Sequence, residues 1–147
     1  MIRSLASVLL AMVLAAGATL QASDAMKAIA GSYLEIQSRL AGDSVAGVKA
    51  AALAIGAQAD RMGKAGEAIA RAAKKLEGAA DVKAAREAFG GLSDAVIAAG
   101  NAEGWKDLPD LRVAYCPMVN KSWVQKGEAI SNPYLGRSMP TCGVIKK

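Results

Sequence analysis

Two cysteines and two methionines near the C-terminus carry the chemistry that this sequence offers. Cys116 stands in Tyr115-Cys116-Pro117-Met118 and Cys142 in Met139-Pro140-Thr141-Cys142-Gly143. Met118 follows its cysteine closely and Met139 closely precedes the other, so a fold that makes the cysteines neighbours also brings two thioethers near them. Thiolates and thioethers are soft donors that select monovalent copper or silver over calcium, magnesium or manganese. The chain has no histidine, which argues against a typical zinc or divalent copper site. A second outcome competes with the metal. Two cysteines in an oxidising compartment close to a disulfide, and for a loop of this length the bridge removes denatured-chain entropy worth about 3.5 kcal/mol. Oxidised cysteines supply no thiolate. The metal set Cys116, Met118, Met139 and Cys142 and the disulfide Cys116–Cys142 are therefore alternatives, and both stay open on sequence grounds.

The remaining candidates read as structure. Asn132-Pro133-Tyr134-Leu135-Gly136 has the make-up of a turn, with proline fixing one dihedral and Gly136 free to take a positive one. Trp105 and Trp123 are packing residues by type; in the bridged alternative Trp123 and Tyr134 are expected to face a partner. Met26 and Met62 fall on helix stripes, and Lys74-Lys75 on a solvated face. An enzyme is not expected. Histidine, the commonest general base near neutral pH, is missing, and there is no Cys-x-x-Cys redox pair. Ser93-Asp94 lies in mid-helix without a Gly-x-Ser-x-Gly elbow, and no glycine loop is present to cradle phosphate.

Helices must position the tail. Met26, Ile29, Tyr33, Ile36 and Leu40 alternate spacings of three and four; Val45, Val48, Ala52, Ile55, Ala59 and Met62 repeat the pattern after the break at Ala41-Gly42-Asp43. Each set forms one stripe of a helix. A third run uses Ala65, Ile69, Ala72 and Leu76. A fourth uses Val82, Ala85, Phe89, Leu92, Val96 and Ala99, with Asp81 placed to cap its start and Gly100-Asn101 placed to end it. Gly90 and Gly91 inside it each cost about 1 kcal/mol relative to alanine, so close packing or a bend is expected there. All four prolines, Pro109, Pro117, Pro133 and Pro140, lie beyond Asn101, where they exclude a long helix. Leu111 to Tyr115 reads as a short extended segment and Ser122 to Ile130 as a brief strand or helical turn. The expected class is all-α: an antiparallel four-helix bundle with an irregular Cys/Pro-rich C-terminal extension, about 105–147, packed on it.

The chain begins with Arg3, an apolar run from Leu5 to Leu20, and Gln21, Ala22, Ser23 and Asp24. That is the layout of a secretory signal peptide, residues 1–22, cleaved near Ala22 or after Ala18. The run is short for a membrane span of roughly 20 apolar residues, so stable membrane insertion after cleavage is not expected. About 125 of the 147 residues remain, enough for one domain, 23–147, with a modest alanine-rich core. The net charge of +5 is spread along helix faces and interleaved with Asp and Glu, as on solvated surfaces. No aromatic residues sit among these charges to stack bases, so nucleic acid is not an expected partner.

Tyr115-Cys116-Pro117-Met118, Trp123, Ile130-Ser131-Asn132-Pro133-Tyr134-Leu135-Gly136, Met139 and Cys142-Gly143 together resemble a bacterial family, the domain-of-unknown-function 3347 family. Its members occur alone behind signal peptides, or fused to periplasmic adaptor subunits of copper and silver efflux pumps. The stretch Arg86-x-x-Phe89-x-x-Leu92-Ser93 resembles the helical part of the same family. The resemblance implies an exported periplasmic domain associated with heavy-metal handling, and an efflux adaptor or other envelope protein as partner. Members often carry histidine where this chain has Tyr115. The Cys-Pro-Met string is also similar to that of short heavy-metal-binding domains, without the histidine that follows methionine there.

Overall fold

The apolar stripes of the sequence become helix faces, and the proline-rich tail becomes a sheet. The computed structural model describes the backbone of residues 2–103, 105 and 107–147, and the side chains of 22–102, 105 and 107–147. Helix α1 spans Ile2–Ala41, α2 Val48–Arg61, α3 Glu67–Glu77 and α4 Val82–Glu103; strand β1 spans Leu111–Cys116, β2 Lys121–Lys126 and β3 Val144–Ile145. The expected leader falls, except for Ala22, on residues whose side chains are not described. Among the described residues no helix is long and apolar enough to cross a membrane.

Consecutive helices pack on one another, and α4 also touches α1. Met26, Ile29, Tyr33, Ile36 and Leu40 are all buried along one face of α1, opposite Val48, Ala52, Ile55 and Ala59 of α2. Ile69, Ala72 and Leu76 of α3 and Ala85, Phe89, Leu92 and Val96 of α4 complete this part of the core. Two stripe residues stay outside. Val45 is exposed because α2 starts only at Val48, and Ala65 is exposed in a short 3-10 turn, Gly63–Gly66, that precedes α3. Asp81 caps α4 by accepting the N–H of Ala84 at 2.8 Å, which satisfies one of the donors a helix start leaves orphaned. The far end runs past the expected stop at Gly100-Asn101 to Glu103; the Asn101 side chain instead accepts the indole N–H of Trp105 at 3.1 Å. Gly90 is explained by a close approach. A Cβ there would sit 2.8 Å from Nζ of Lys121 on β2, whereas the space beside Gly91 is open.

The all-α class is overturned by the tail. β1, β2 and β3 form an antiparallel sheet in the order β2-β1-β3, so the protein is mixed helix and sheet and the extension is not irregular. Leu111 pairs with Lys126 and the register runs to Cys116 opposite Lys121; Ala114 and Tyr115 pair with Ile145 and Val144. The prolines do not prevent this because none lies inside a strand. Pro117 sits in the β1–β2 turn and Pro133 and Pro140 in the connection to β3, positions that need no ladder N–H. Asn120 closes the hairpin with a left-handed φ of 51°, a conformation asparagine tolerates, and the Tyr115 hydroxyl donates to its Oδ1 at 2.8 Å.

β2 lies against α4 and α1. Its exposed ladder edge is closed by a side chain: the N–H of Val124 donates to the Tyr33 hydroxyl at 3.1 Å. Tyr33, Phe89, Tyr134 and Trp123 then form a chain of rings with centroids 4.9, 5.9 and 6.0 Å apart, spacings at which offset and edge-on rings attract. A single buried cluster therefore runs from the helices into the sheet.

Candidate functional site

Strand pairing brings the cysteines together. Because Tyr115 pairs with Val144, the end of β1 lies beside the residues that enter β3, and Cys116 Sγ stands 3.0 Å from Cys142 Sγ. Both are free thiols. Cys116 is fully buried, and Cys142 is part-exposed. Gly143 makes the approach possible. Its φ is +152° and a Cβ would meet the Trp123 ring at 2.8 Å and the Tyr115 carbonyl at 3.1 Å.

The connection between β2 and β3 is fastened by one amide. Asn132 Oδ1 accepts the N–H groups of Tyr134 and Leu135 at 2.8 and 3.0 Å, and its Nδ2 donates to the Cys142 carbonyl at 2.6 Å. Its own N–H donates to the Pro140 carbonyl at 2.9 Å. The segment 132–136 is thus the turn its composition indicated, and it also holds Cys142 in place.

Gln125 and Arg86 fasten the flanks. Gln125 accepts the Trp123 indole N–H and the Ser131 N–H, and donates to the carbonyls of Gly127 and Ala129. Arg86 of α4 donates to the carbonyls of Pro133 and Leu40, both at 2.8 Å, and to the Asp43 carboxylate. Gly136 is required at this clamp. With φ at +54°, a Cβ would fall 2.0 Å from Asp43 Oδ1 and 2.1 Å from an Arg86 nitrogen.

Hydrogen bonds decide which sulfur holds the negative charge. Burial pushes the Cys116 thiol up, but the neighbouring Cys142 thiol, the backbone N–H groups of Val119 and Met118 and the Asn132 side chain outweigh it and hold the thiol below its ordinary value. Cys142 moves the other way: donating to Cys116 raises it, and burial adds to the rise. Cys116 is thus the more acidic sulfur of the two. Such a pair is able to bind a soft cation or to close to a disulfide once an oxidant removes two electrons.

The expected site residues divide. Cys116 and Cys142 meet. Met118 lies in the hairpin turn and the Met139 carbonyl accepts the Cys142 N–H at 3.2 Å, so both methionines belong to the same corner, but their side chains are 66% and 40% exposed. Where the resembled family often has histidine, the Tyr115 ring is engaged with Asn120 and lies under Lys146 Nζ at 5.3 Å. Trp123 is fully buried and Tyr134 nearly so; the expectation that they face a partner is corrected by their place in the aromatic core. Among the described residues no group of three or more Cys, Asp and Glu side chains gathers as for a metal ion, so an ion here would depend on two thiolates with help from thioethers.

No protein-family model, curated protein or solved structure matches this chain. The likeness set out above rests on the tail residues and on Arg86, Phe89, Leu92 and Ser93. In the structure Arg86, Phe89 and Ser93 all turn toward that tail: Arg86 bonds the Pro133 carbonyl, Phe89 stacks near Tyr134, and Ser93 Oγ lies 2.6 and 3.2 Å from the hydroxyls of Tyr33 and Tyr134.

The parts that sequence reading missed are Asn132, Gln125 and the two backbone N–H groups after Pro117. Asn132 carried a signal, since asparagine before proline commonly turns the chain through its own side chain. Its reach to a residue ten positions further on carried none.

Proposed function

We propose that this chain is an exported accessory protein of the bacterial envelope that binds a monovalent soft metal ion, copper(I) or silver(I), through Cys116 and Cys142, and passes it to an efflux periplasmic adaptor or another envelope protein. The observation that supports this best is the 3.0 Å approach of the two cysteine sulfurs, where donors of Met118, Val119 and Asn132 help hold the Cys116 thiol below its ordinary value. Donors of this kind stabilise a thiolate, the form in which cysteine binds metal. A sulfur held permanently in a bridge has no charge for them to stabilise. Met118 and Met139, exposed at the same corner, are the thioethers that complete the soft set.

An ion bridging the two sulfurs needs more room than their 3.0 Å separation leaves. Uptake would therefore move Cys142 outward, a part-exposed residue next to a two-residue strand. The role is binding and transfer, not catalysis. The secretory layout of residues 1–22 and the family resemblance support the compartment and the partner class. Titration of the reduced protein with copper(I) against a chromophoric chelator tests the reading. Binding tighter than micromolar that disappears in Cys116→Ser and Cys142→Ser supports it; affinity unchanged in both variants removes it.

The 3.0 Å sulfur separation favours a second reading, a structural or interaction module whose tail is closed by a Cys116–Cys142 disulfide with no metal role. Intact mass separates the two: a two-hydrogen deficit that reductant at moderate strength does not remove belongs to the bridged module.

A further inference from the structure

The two sulfurs differ in the one respect that matters for disulfide exchange. Cys116 is fully buried beneath the turn that follows β1, while Cys142 faces partly outward. An attacking thiolate must approach a sulfur along the axis of the bond it breaks, so access decides which sulfur is attacked, and stabilisation of the departing thiolate decides how fast it leaves. Here access points to Cys142. We propose that Cys142 is the exchange sulfur of this pair and Cys116 its leaving group, so that an external dithiol opens the oxidised corner through a mixed disulfide on Cys142 and thereby restores the metal-binding thiols. This rests on the reading of Cys116 and Cys142 as a working dithiol, and not on which ion the pair takes.

The steps balance. The first thiolate of the dithiol attacks Cys142 Sγ; a new sulfur–sulfur bond forms, the Cys116–Cys142 bond breaks, and Cys116 leaves with the electron pair. The second thiolate of the dithiol then attacks the sulfur of its own partner thiol in the mixed disulfide. Cys142 departs as a thiolate and takes a proton from water, and the dithiol leaves as a disulfide. The protein gains two electrons and the dithiol loses two. The reverse attack, on Cys116, is closed by burial.

Glutathione is the probe, because its single thiol halts the reaction at the mixed disulfide. The full mature protein, oxidised with diamide, is mixed with excess glutathione, quenched in acid, digested and mapped by mass spectrometry. Cleavage at Lys121, Lys126 and Arg137 separates the two cysteines. The adduct is expected on Cys142 in excess of Cys116 by about ten-fold or more. In parallel, reduced Cys116→Ser protein, whose remaining thiol is Cys142, should take up glutathione from its disulfide about ten-fold faster than Cys142→Ser protein. An adduct chiefly on Cys116, or equal rates for the two variants, overturns the inference; if Cys116 recloses too fast for an adduct to be caught, the variant rates decide. Copper(I) binding by the reduced wild-type protein is measured separately. A Cys116 adduct with binding intact defeats the exchange polarity alone, and a Cys142 adduct with binding absent defeats the metal reading alone.

Discussion

Asn132 is tied to Cys142 through its side-chain amide, whose Nδ2 donates to the Cys142 carbonyl at 2.6 Å while Oδ1 collects the N–H groups of Tyr134 and Leu135. Asn132 is itself fully buried, so none of these bonds is easily replaced by water. Truncation in Asn132→Ala leaves two N–H groups and one carbonyl without partners in the interior. Since each unsatisfied buried group costs about 1–3 kcal/mol, urea denaturation should show a loss of about 3 kcal/mol. A loss near zero would mean that the turn holds Cys142 without this residue.

Tyr33 closes the edge of β2, and its hydroxyl bonds both Ser93 and Val124. Tyr33→Phe should therefore destabilise by about 1–3 kcal/mol despite keeping the ring. Burial raises the ionisation of Tyr33 and, with it, that of Tyr134 well above the ordinary tyrosine value. In an alkaline absorbance titration these two phenols should ionise only as the protein unfolds. Smooth ionisation of all three tyrosines with the fold intact would contradict this packing.

Asp43 is held by Arg86. That hydrogen bond lowers its carboxyl below the ordinary 3.8 against a smaller opposing effect of burial, and the Arg137 N–H adds to the lowering. The folded state thus releases this proton more readily than the unfolded chain. The contribution to stability is complete above the unfolded value and is lost as pH falls through the folded one. Urea midpoints measured from about pH 6 down to about pH 3 should fall less for Asp43→Asn than for the wild type over the acid part of that interval. Equal acid limbs would remove Asp43 from the clamp.

The methionines are exposed, so their replacement separates ligation from packing. Met118→Leu and Met139→Leu should each leave the denaturation midpoint within about 0.5 kcal/mol of the wild type. Each should weaken copper(I) binding by a few-fold, through loss of a soft donor. Unchanged affinity in the double variant would leave the cysteines as the only ligands.

How far the fold was legible depended on the range of the interactions that set it. The stripes containing Ile29, Tyr33 and Ile36 or Phe89, Leu92 and Val96 declared their helices because helix periodicity is local and each stripe is buried in a common core. Asp81 declared its cap for the same reason. The strands were partly legible and their pairing was not: β1 falls where Leu111 to Tyr115 reads as extended, and β2 overlaps the stretch from Ser122 to Ile130 read as a brief strand or helical turn. β1 and β2 are six residues each and β3 only two, too short for alternation to outweigh four nearby prolines, and their pairing joins Ala114 to Ile145 far along the chain.

The candidate site was legible as residue types and not as geometry. Two cysteines in a chain whose start reads as a secretory leader announced a pair, and the structure sets their sulfurs 3.0 Å apart. Nothing in the spelling of Cys-Pro-Met-Val revealed that the turn and Asn132 would together hold the Cys116 thiol below its ordinary value. Nor did it reveal that Trp123 and Tyr134 belong to the interior. Burial of Trp123 and Tyr134 follows from the tertiary placement of β2 against α4 and α1.

The account turns on Cys116 and Cys142 working as thiols. The most direct measurement is the intact native mass of the protein taken from its own compartment, with free thiols alkylated at harvest and cells grown with and without added copper. The account predicts alkylation of both cysteines in protein that carries no metal, and a one-ion mass increment with alkylation suppressed when copper is supplied. A uniform two-hydrogen deficit, unchanged by copper and resistant to a mild dithiol, would contradict it and leave the cysteines as a permanent structural bridge.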